Sequence, residues 1–180
     1  MSPKFRNVSE RVLHQGPLVQ VVDVGVEGPD GEMYQREVVR HPGAVVVVPA
    51  TDSGTFVLVR QYRAAVGGEL LEVPAGKRDV AGEPPEVTAV RELAEEIGKK
   101  AAHLELLARF YNSPGFCDEM AHLYLASGLS DVPLDRHGVE EQHMSVVEVP
   151  FGDVDAMIEK GDIVDAKSII GLTLALKRLQ

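Results

Sequence analysis

The chain reads as a mixed α/β domain preceded by a small N-terminal antiparallel β appendage. Three observations predict this class. Short β-rich runs are joined mostly by turns: 18–26 and 34–39 flank Gly28-Pro29-Asp30-Gly31, and 44–49 and 56–60 flank Thr51-Asp52-Ser53-Gly54. Two stretches, 86–97 and 166–179, carry helical patterning. The breaker His41-Pro42-Gly43 separates the first pair of strands from the rest. It sets a boundary between an appendage over 1–41 and a main domain over 42–180.

Taken in order, 18–26 is rich in valine, and 34–39 returns as the second strand of a hairpin. The run 44–49 is apolar throughout and reads as a buried strand, with 56–60 as its partner. A short strand over 69–73 ends at Pro74-Ala75-Gly76. Further strands fit 104–110, 120–126 and 144–149. A helix over 153–160 stops at Gly161. The last helix shows a wide apolar face of Ile169, Ile170, Leu172, Leu174 and Leu176. The stretch 127–142 reads as a long loop, and loops of that length often carry function. Irregularly placed helices argue against a regular βαβ winding.

Composition narrows the function. The 180 residues hold 18 Lys+Arg against 28 Asp+Glu, a net charge of −10. That sign opposes gripping nucleic acid or an anionic membrane through counterion release. The single cysteine, Cys117, allows no intrachain disulfide and no cysteine-based zinc site. Six scattered histidines include no His-Glu-x-x-His pair. No apolar run is long enough for a membrane span or a signal peptide, so the expected location is cytoplasmic.

The chemistry concentrates between Gly76 and Lys99. At about 100° per residue, Glu92, Glu95 and Glu96 share one sector of a helix. Val90, Leu93, Ala94 and Ile97 fall on the far side, so the expectation is an apolar face docked on the core and an acidic face turned away. Pro84 and Pro85 suit the helix start and Gly98 its end. Three like charges within one turn repel, and a hard divalent cation such as Mg²⁺ or Mn²⁺ would turn that repulsion into attraction. The alternative for a bare Glu-x-x-Glu-Glu is a solvated acidic face.

The full string Gly76, Glu83, Arg91, Glu92, Leu93, Glu95, Glu96 and Gly98 resembles the signature of the Nudix hydrolases. Six residues separate Gly76 from Glu83 where the family commonly has five, and Lys99 stands where an aliphatic residue is usual. The resemblance implies an α/β/α sandwich with a mixed sheet. It implies hydrolysis of a nucleoside diphosphate linked to another group. It also implies two to three Mg²⁺ (or Mn²⁺) ions, held by Glu92, Glu96, Glu95 and the carbonyl of Ala75. Glu95 would serve either as ligand or in orienting water. Gly76, Glu83 and Arg91 would support the site structurally, Arg91 by pairing with a carboxylate such as Glu83.

The flanks resemble the ADP-ribose pyrophosphatase branch. They are Glu69-Leu70-Leu71-Glu72-Val73-Pro74 before the box, Arg60-Gln61-Tyr62-Arg63, Ser113-Pro114-Gly115-Phe116 with Glu119, and the hairpin containing Arg36. This resemblance implies cleavage of ADP-ribose to AMP and ribose 5-phosphate, with Arg36, Arg63, Pro114, Gly115 and Glu119 at the substrate. Forked arginines suit phosphate oxygens. Tyr62 and Phe116 are the aromatics nearest these motifs that can stack on adenine. An acid in the 127–142 loop would take the proton from water, Glu141 first and Glu140 second. The appendage implies a homodimer, and the only other partner expected is a small nucleotide sugar. Two alternatives stand beside this reading: a broader nucleoside-diphosphate-sugar hydrolase, acting for example on GDP-mannose, and a Nudix-fold sensor that binds without cleaving.

Overall fold

The structure is a computed structural model that describes residues 4–136 and 138–179 and, of Glu140, the backbone alone. Among these residues ten strands and four α-helices follow one another: β1 (Arg6–Gln15), β2 (Gln20–Glu27), β3 (Met33–Arg40), β4 (Ala44–Pro49), β5 (Thr55–Arg63), β6 (Gly68–Glu72), β7 (Ala75–Lys77), α1 (Pro85–Ile97), β8 (Lys99–Tyr111), β9 (Met120–Asp131), α2 (Val139–Gln142), β10 (Ser145–Pro150), α3 (Val154–Lys160) and α4 (Ala166–Leu179). The chain divides into two compact units, one of 1–43 with 110–120 and one of 44–109 with 121–180.

The N-terminal unit is an antiparallel sheet in the order β1-β2-β3. The sequence predicts only β2 and β3. β1 has no alternation and is exposed along its length, so nothing in its own pattern marks it. It forms because β2 offers an edge, with Arg6 set against Glu27 at 2.8 Å and Arg11 against Asp23 at 3.3 Å. Residues 110–120 join this unit. Val39 N–H donates to the Phe116 carbonyl at 2.7 Å, and Asp118 accepts from Arg40 Nη1 at 2.9 Å and from His41 N–H at 2.8 Å.

The core unit has two sheets, β7-β4-β9-β8 and β10-β5-β6. β4 runs parallel to β9 and antiparallel to β7, so the sheet is mixed as expected. Every residue of β4 is buried. Val45 and Val47 join Leu93 and Ile97 of α1 in the main core cluster, and Val48 lies against α4 on the opposite face. Both faces of β4 are therefore covered by helices, which explains its uninterrupted apolar run. This is the α/β/α sandwich the resemblance implies.

Two local expectations are corrected. β5 does not pair with β4 beyond a single bridge from Ala50 to Phe56; it pairs with β6 and β10 instead. Val57 and Val59 join the same core cluster as Val45 and Val47, so the turn at 51–54 carries the chain from one sheet to the other. The 127–142 stretch also carries regular structure at both of its ends. β9 continues to Asp131, where Lys99 reaches Asp131 at 2.6 Å and Val132 N–H meets the Gly98 carbonyl at 2.9 Å, and α2 occupies 139–142. Glycine, serine and aspartate weaken the strand signal there, and pairing with β8 overrides it.

Gly171 marks how tightly α4 docks. A Cβ added there would lie 2.9 Å from Val48 Cγ2 and 3.1 Å from Leu123 Cδ1. Gly171→Val should lower unfolding free energy in urea by about 2 kcal/mol through overpacking, despite the better helix propensity of valine over glycine.

Candidate active site

α1 begins at Pro84-Pro85, where the first turn needs no N–H donor, and ends at Gly98 with φ +63°. Its buried residues are Thr88, Ala89, Glu92, Leu93, Glu96 and Ile97. The expectation of an apolar face in and an acidic face out is therefore corrected. Glu92 and Glu96 lie on the buried arc at 7% and 4% exposure, while Val90, expected inside, is exposed. The helix packs against β4 with its apolar residues and against β7 with its carboxylates.

The incoming strand is shaped to receive them. Ala75 N–H donates to Glu96 Oε2 at 3.2 Å. Gly76 lies so close to Glu92 that an added Cβ would stand 1.9 Å from its Cδ, so only glycine leaves room. Arg91 Nη1 contacts both Glu92 Oε1 and Glu95 Oε2 at 2.9 Å, while Glu83 Oε2 lies 3.8 Å from Nη2. Glu83 instead accepts from the Thr88 hydroxyl at 2.7 Å. Arg91 thus braces the acidic cluster itself more closely than it binds Glu83.

A cleft of about 340 Å³ joins the box to β5 and α2. Its lining includes Gln61, Tyr62, Arg63, Ala75, Gly76, Arg91, Glu92, Glu95, Glu96 and Glu141. It therefore brings together one of the two expected bases, the three box carboxylates and one expected substrate arginine. Glu141 accepts from Gly138 N–H at 3.0 Å. The Glu140 side chain lies outside the described residues. Arg36, Pro114, Gly115 and Glu119 belong to the N-terminal unit. There Arg36 stacks over Tyr34 at 4.4 Å, and Glu119 accepts from Asn112 Nδ2 at 2.9 Å and lies 3.8 Å from His41 Nδ1.

Burial strips solvent from Glu92 and pushes its carboxyl to about 7, against the pull of Arg91 and with help from Glu95 and Glu141. Burial likewise lifts Glu96 to about 8, with Glu92 adding to it. Among the described residues no three His, Cys, Asp or Glu side chains close into a ready metal cage. The donor set nevertheless fits a hard dication: two desolvated carboxylates under mutual repulsion and a third at Glu95, all lining one cleft with Ala75.

Sequence reasoning missed what holds Arg63. Its Nε and Nη2 each donate at 2.7 Å to Glu72, which is 1% exposed. Lys167 of α4 also binds Glu72 and lies 3.0 Å from Asp165, and Ser168 Oγ accepts from Val73 N–H at 2.9 Å. A signal for this was present, because Glu72 is a lone carboxylate inside the apolar run Leu70-Leu71-Glu72-Val73, and such a charge needs a partner. Burial alone would raise the Glu72 carboxyl. The hydrogen bonds from Arg63 and the charge of Lys167 outweigh it and hold the group below the usual carboxylate range.

The NUDIX domain family matches residues 39–169. The chain belongs to that family, as the box resemblance implies. It is 38% identical over 163 residues to an ADP-ribose pyrophosphatase of Bacillus subtilis, covering 91% of this chain and 88% of that protein. It is 39% identical over 168 residues to an ADP-ribose pyrophosphatase of Mycobacterium tuberculosis, covering 93% and 81%. A crystal structure of an ADP compounds hydrolase superposes with a TM-score of 0.85 at 24% identity, covering 98% of this chain and 94% of that one, which shows the shared fold.

Two outcomes follow from the charges. Glu92 and Glu96 titrate above an unfolded value of about 4.3, so folding gains from them at acid pH and loses that gain as pH rises through 7 to 8. Metal-free protein should melt at a lower temperature at pH 8.5 than at pH 6. Mg²⁺ or Mn²⁺ should restore the loss in the wild type and not in Glu96→Gln, as read by calorimetry. Glu72 has the opposite sign: its stabilisation is full above about 4.3 and disappears as pH falls through its lowered value. Glu72→Gln should cost about 3 kcal/mol at pH 7 by strewing uncompensated charge around Arg63 and Lys167, and the deficit should shrink below about pH 4 in urea titrations.

Proposed function

We propose that the protein hydrolyses the diphosphate linkage of ADP-ribose to AMP and ribose 5-phosphate with the help of a divalent cation. The observation that carries this reading is the single cleft that unites Glu92, Glu95 and Glu96 with Arg63 and Glu141. The relatives' names support the substrate.

In this reading Glu92 and Glu96 would hold Mg²⁺ (or Mn²⁺), with Glu95 and the Ala75 carbonyl completing the ligand set for two to three ions. Bound cations would neutralise charge growing on the diphosphate and make water a better nucleophile. Arg63 spends two of its five N–H donors on Glu72 and keeps the others for phosphate oxygens. Glu72 and Lys167 thereby fix the direction of that arginine. Glu141 takes a proton from the attacking water, with Glu140 as the second choice. The water oxygen bonds to one phosphorus, and the bridging oxygen leaves with the other phosphate. Gly76, Glu83 and Arg91 keep the box in shape. Arg36, Pro114, Gly115 and Glu119 are the further substrate-binding residues of this reading. The working form is a cytoplasmic homodimer.

Incubation with Mg²⁺ and ADP-ribose, GDP-mannose, NADH or a dinucleoside polyphosphate, followed by phosphorus NMR, should give AMP and ribose 5-phosphate fastest from ADP-ribose. Faster GDP-mannose cleavage would move the assignment to a broader sugar-nucleotide hydrolase. Tight ADP-ribose binding with no turnover of any compound would make the protein a sensor. Glu96→Gln should lose well over tenfold in kcat/KM, more than the ~1.4 kcal/mol that tenfold represents.

A further inference from the structure

Gln61 stands on β5 between the core and the cleft. Side chains alternate along a strand, so Gln61 shares a face with Val59, which lies in the main core cluster, and with Arg63, which reaches the cleft. It is 5% exposed and lines the cleft beside Ala75, Glu96 and Glu141. Its Nε2 finds no hydrogen-bond partner among the described residues. A buried amide donor without a partner is unfavourable, and a leucine or methionine would fill the same place between Val59 and Arg63 without that penalty. Glu96, which lines the same cleft, takes its main-chain hydrogen bond from Ala75.

We infer that the Gln61 carboxamide is a substrate-binding donor, whose Nε2–H meets a non-bridging phosphate oxygen of the bound diphosphate beside Arg63. The inference rests on the diphosphate reading above and names a further residue of that site. Residues two apart on a strand are separated by roughly 6.6 Å, so the two side chains approach a diphosphate from adjacent points. A neutral donor also suits the place. A second cation beside Glu96 would compete with a divalent ion, and a carboxylate would repel both the box and the substrate. An amide supplies hydrogen bonds to oxygen and leaves the charge balance of the cleft unchanged.

The test uses the full chain with Mg²⁺ and a methylene-bridged ADP-ribose analogue that cannot be cleaved. Calorimetric titration should show Gln61→Met, of similar size and without a donor, binding the analogue about tenfold more weakly, as expected for one lost hydrogen bond to a charged group. Gln61→Asn, which keeps the amide and shortens its reach, should also weaken binding. Mn²⁺ affinity by electron paramagnetic resonance should stay at the wild-type value and the melting temperature of ligand-free Gln61→Met at or above it, which separates loss of a donor from damage to the fold or the ion site. In turnover assays KM should rise more than kcat falls. Analogue affinity within twofold of wild type in both variants overturns the inference, as does a fall in kcat with analogue affinity unchanged. A wild-type protein that fails to bind the analogue refutes the diphosphate reading itself.

Discussion

Two carboxylates are buried on the helix face that also docks the molecule, and much of the site follows from that constraint. Removing an ionised carboxylate from water costs several kcal/mol unless partners replace the solvent. Glu92 and Glu96 share the buried arc of α1 with Leu93 and Ile97, so they cannot turn to solvent without undocking the helix. Their surroundings are built around this. β7 supplies the Ala75 N–H to Glu96, Gly76 leaves out the Cβ that would strike Glu92, and Arg91 lays one nitrogen between Glu92 and Glu95. These partners offset only part of the burial, which is why both groups titrate far above ordinary carboxylates. The remaining imbalance is the place where a divalent cation gains most.

A second polar layer fixes the strands that carry those partners. Glu72 at the end of β6 joins Arg63 of β5 to Lys167 of α4, and Ser168 of the same helix holds Val73 N–H. Two residues later the chain enters β7, anchored by Val47 N–H to the Pro74 carbonyl at 2.9 Å. The approach to the box is thus clamped from both the sheet and the opposite helix. Arg63 is consequently held by a partner as well as facing the cleft, a pre-organised fork whose orientation is settled before any ligand arrives.

The acidic balance of the chain takes on a local meaning. The net charge of −10 argues against polyanionic partners as a global sign. Locally, five acids, Asp79, Glu92, Glu95, Glu96 and Glu141, line one cleft together with Arg63 and Arg91. An acid-rich chain can receive a diphosphate when its carboxylates gather where cations bind and its arginines stand at the rim.

The sequence by itself determined the box, its helix with the proline start and the stop at Gly98, the mixed α/β class and the family. Those features rest on local rules: a proline start, a glycine stop, a fixed spacing of acids and an apolar run for a doubly covered strand. It also singled out Glu141, which lines the cleft. Tertiary structure decided what depends on neighbours distant in the chain. It set which face of α1 is buried, because β7 comes to meet the carboxylates and a helical wheel knows nothing of β7. It sent β5 to the second sheet, made β1 from a segment with no pattern of its own, and extended β9 by pairing with β8. It also gave Glu72 its partners and left Gln61 Nε2 without a partner among the described residues, since the worth of a buried polar group is set by what surrounds it and not by its place in the chain.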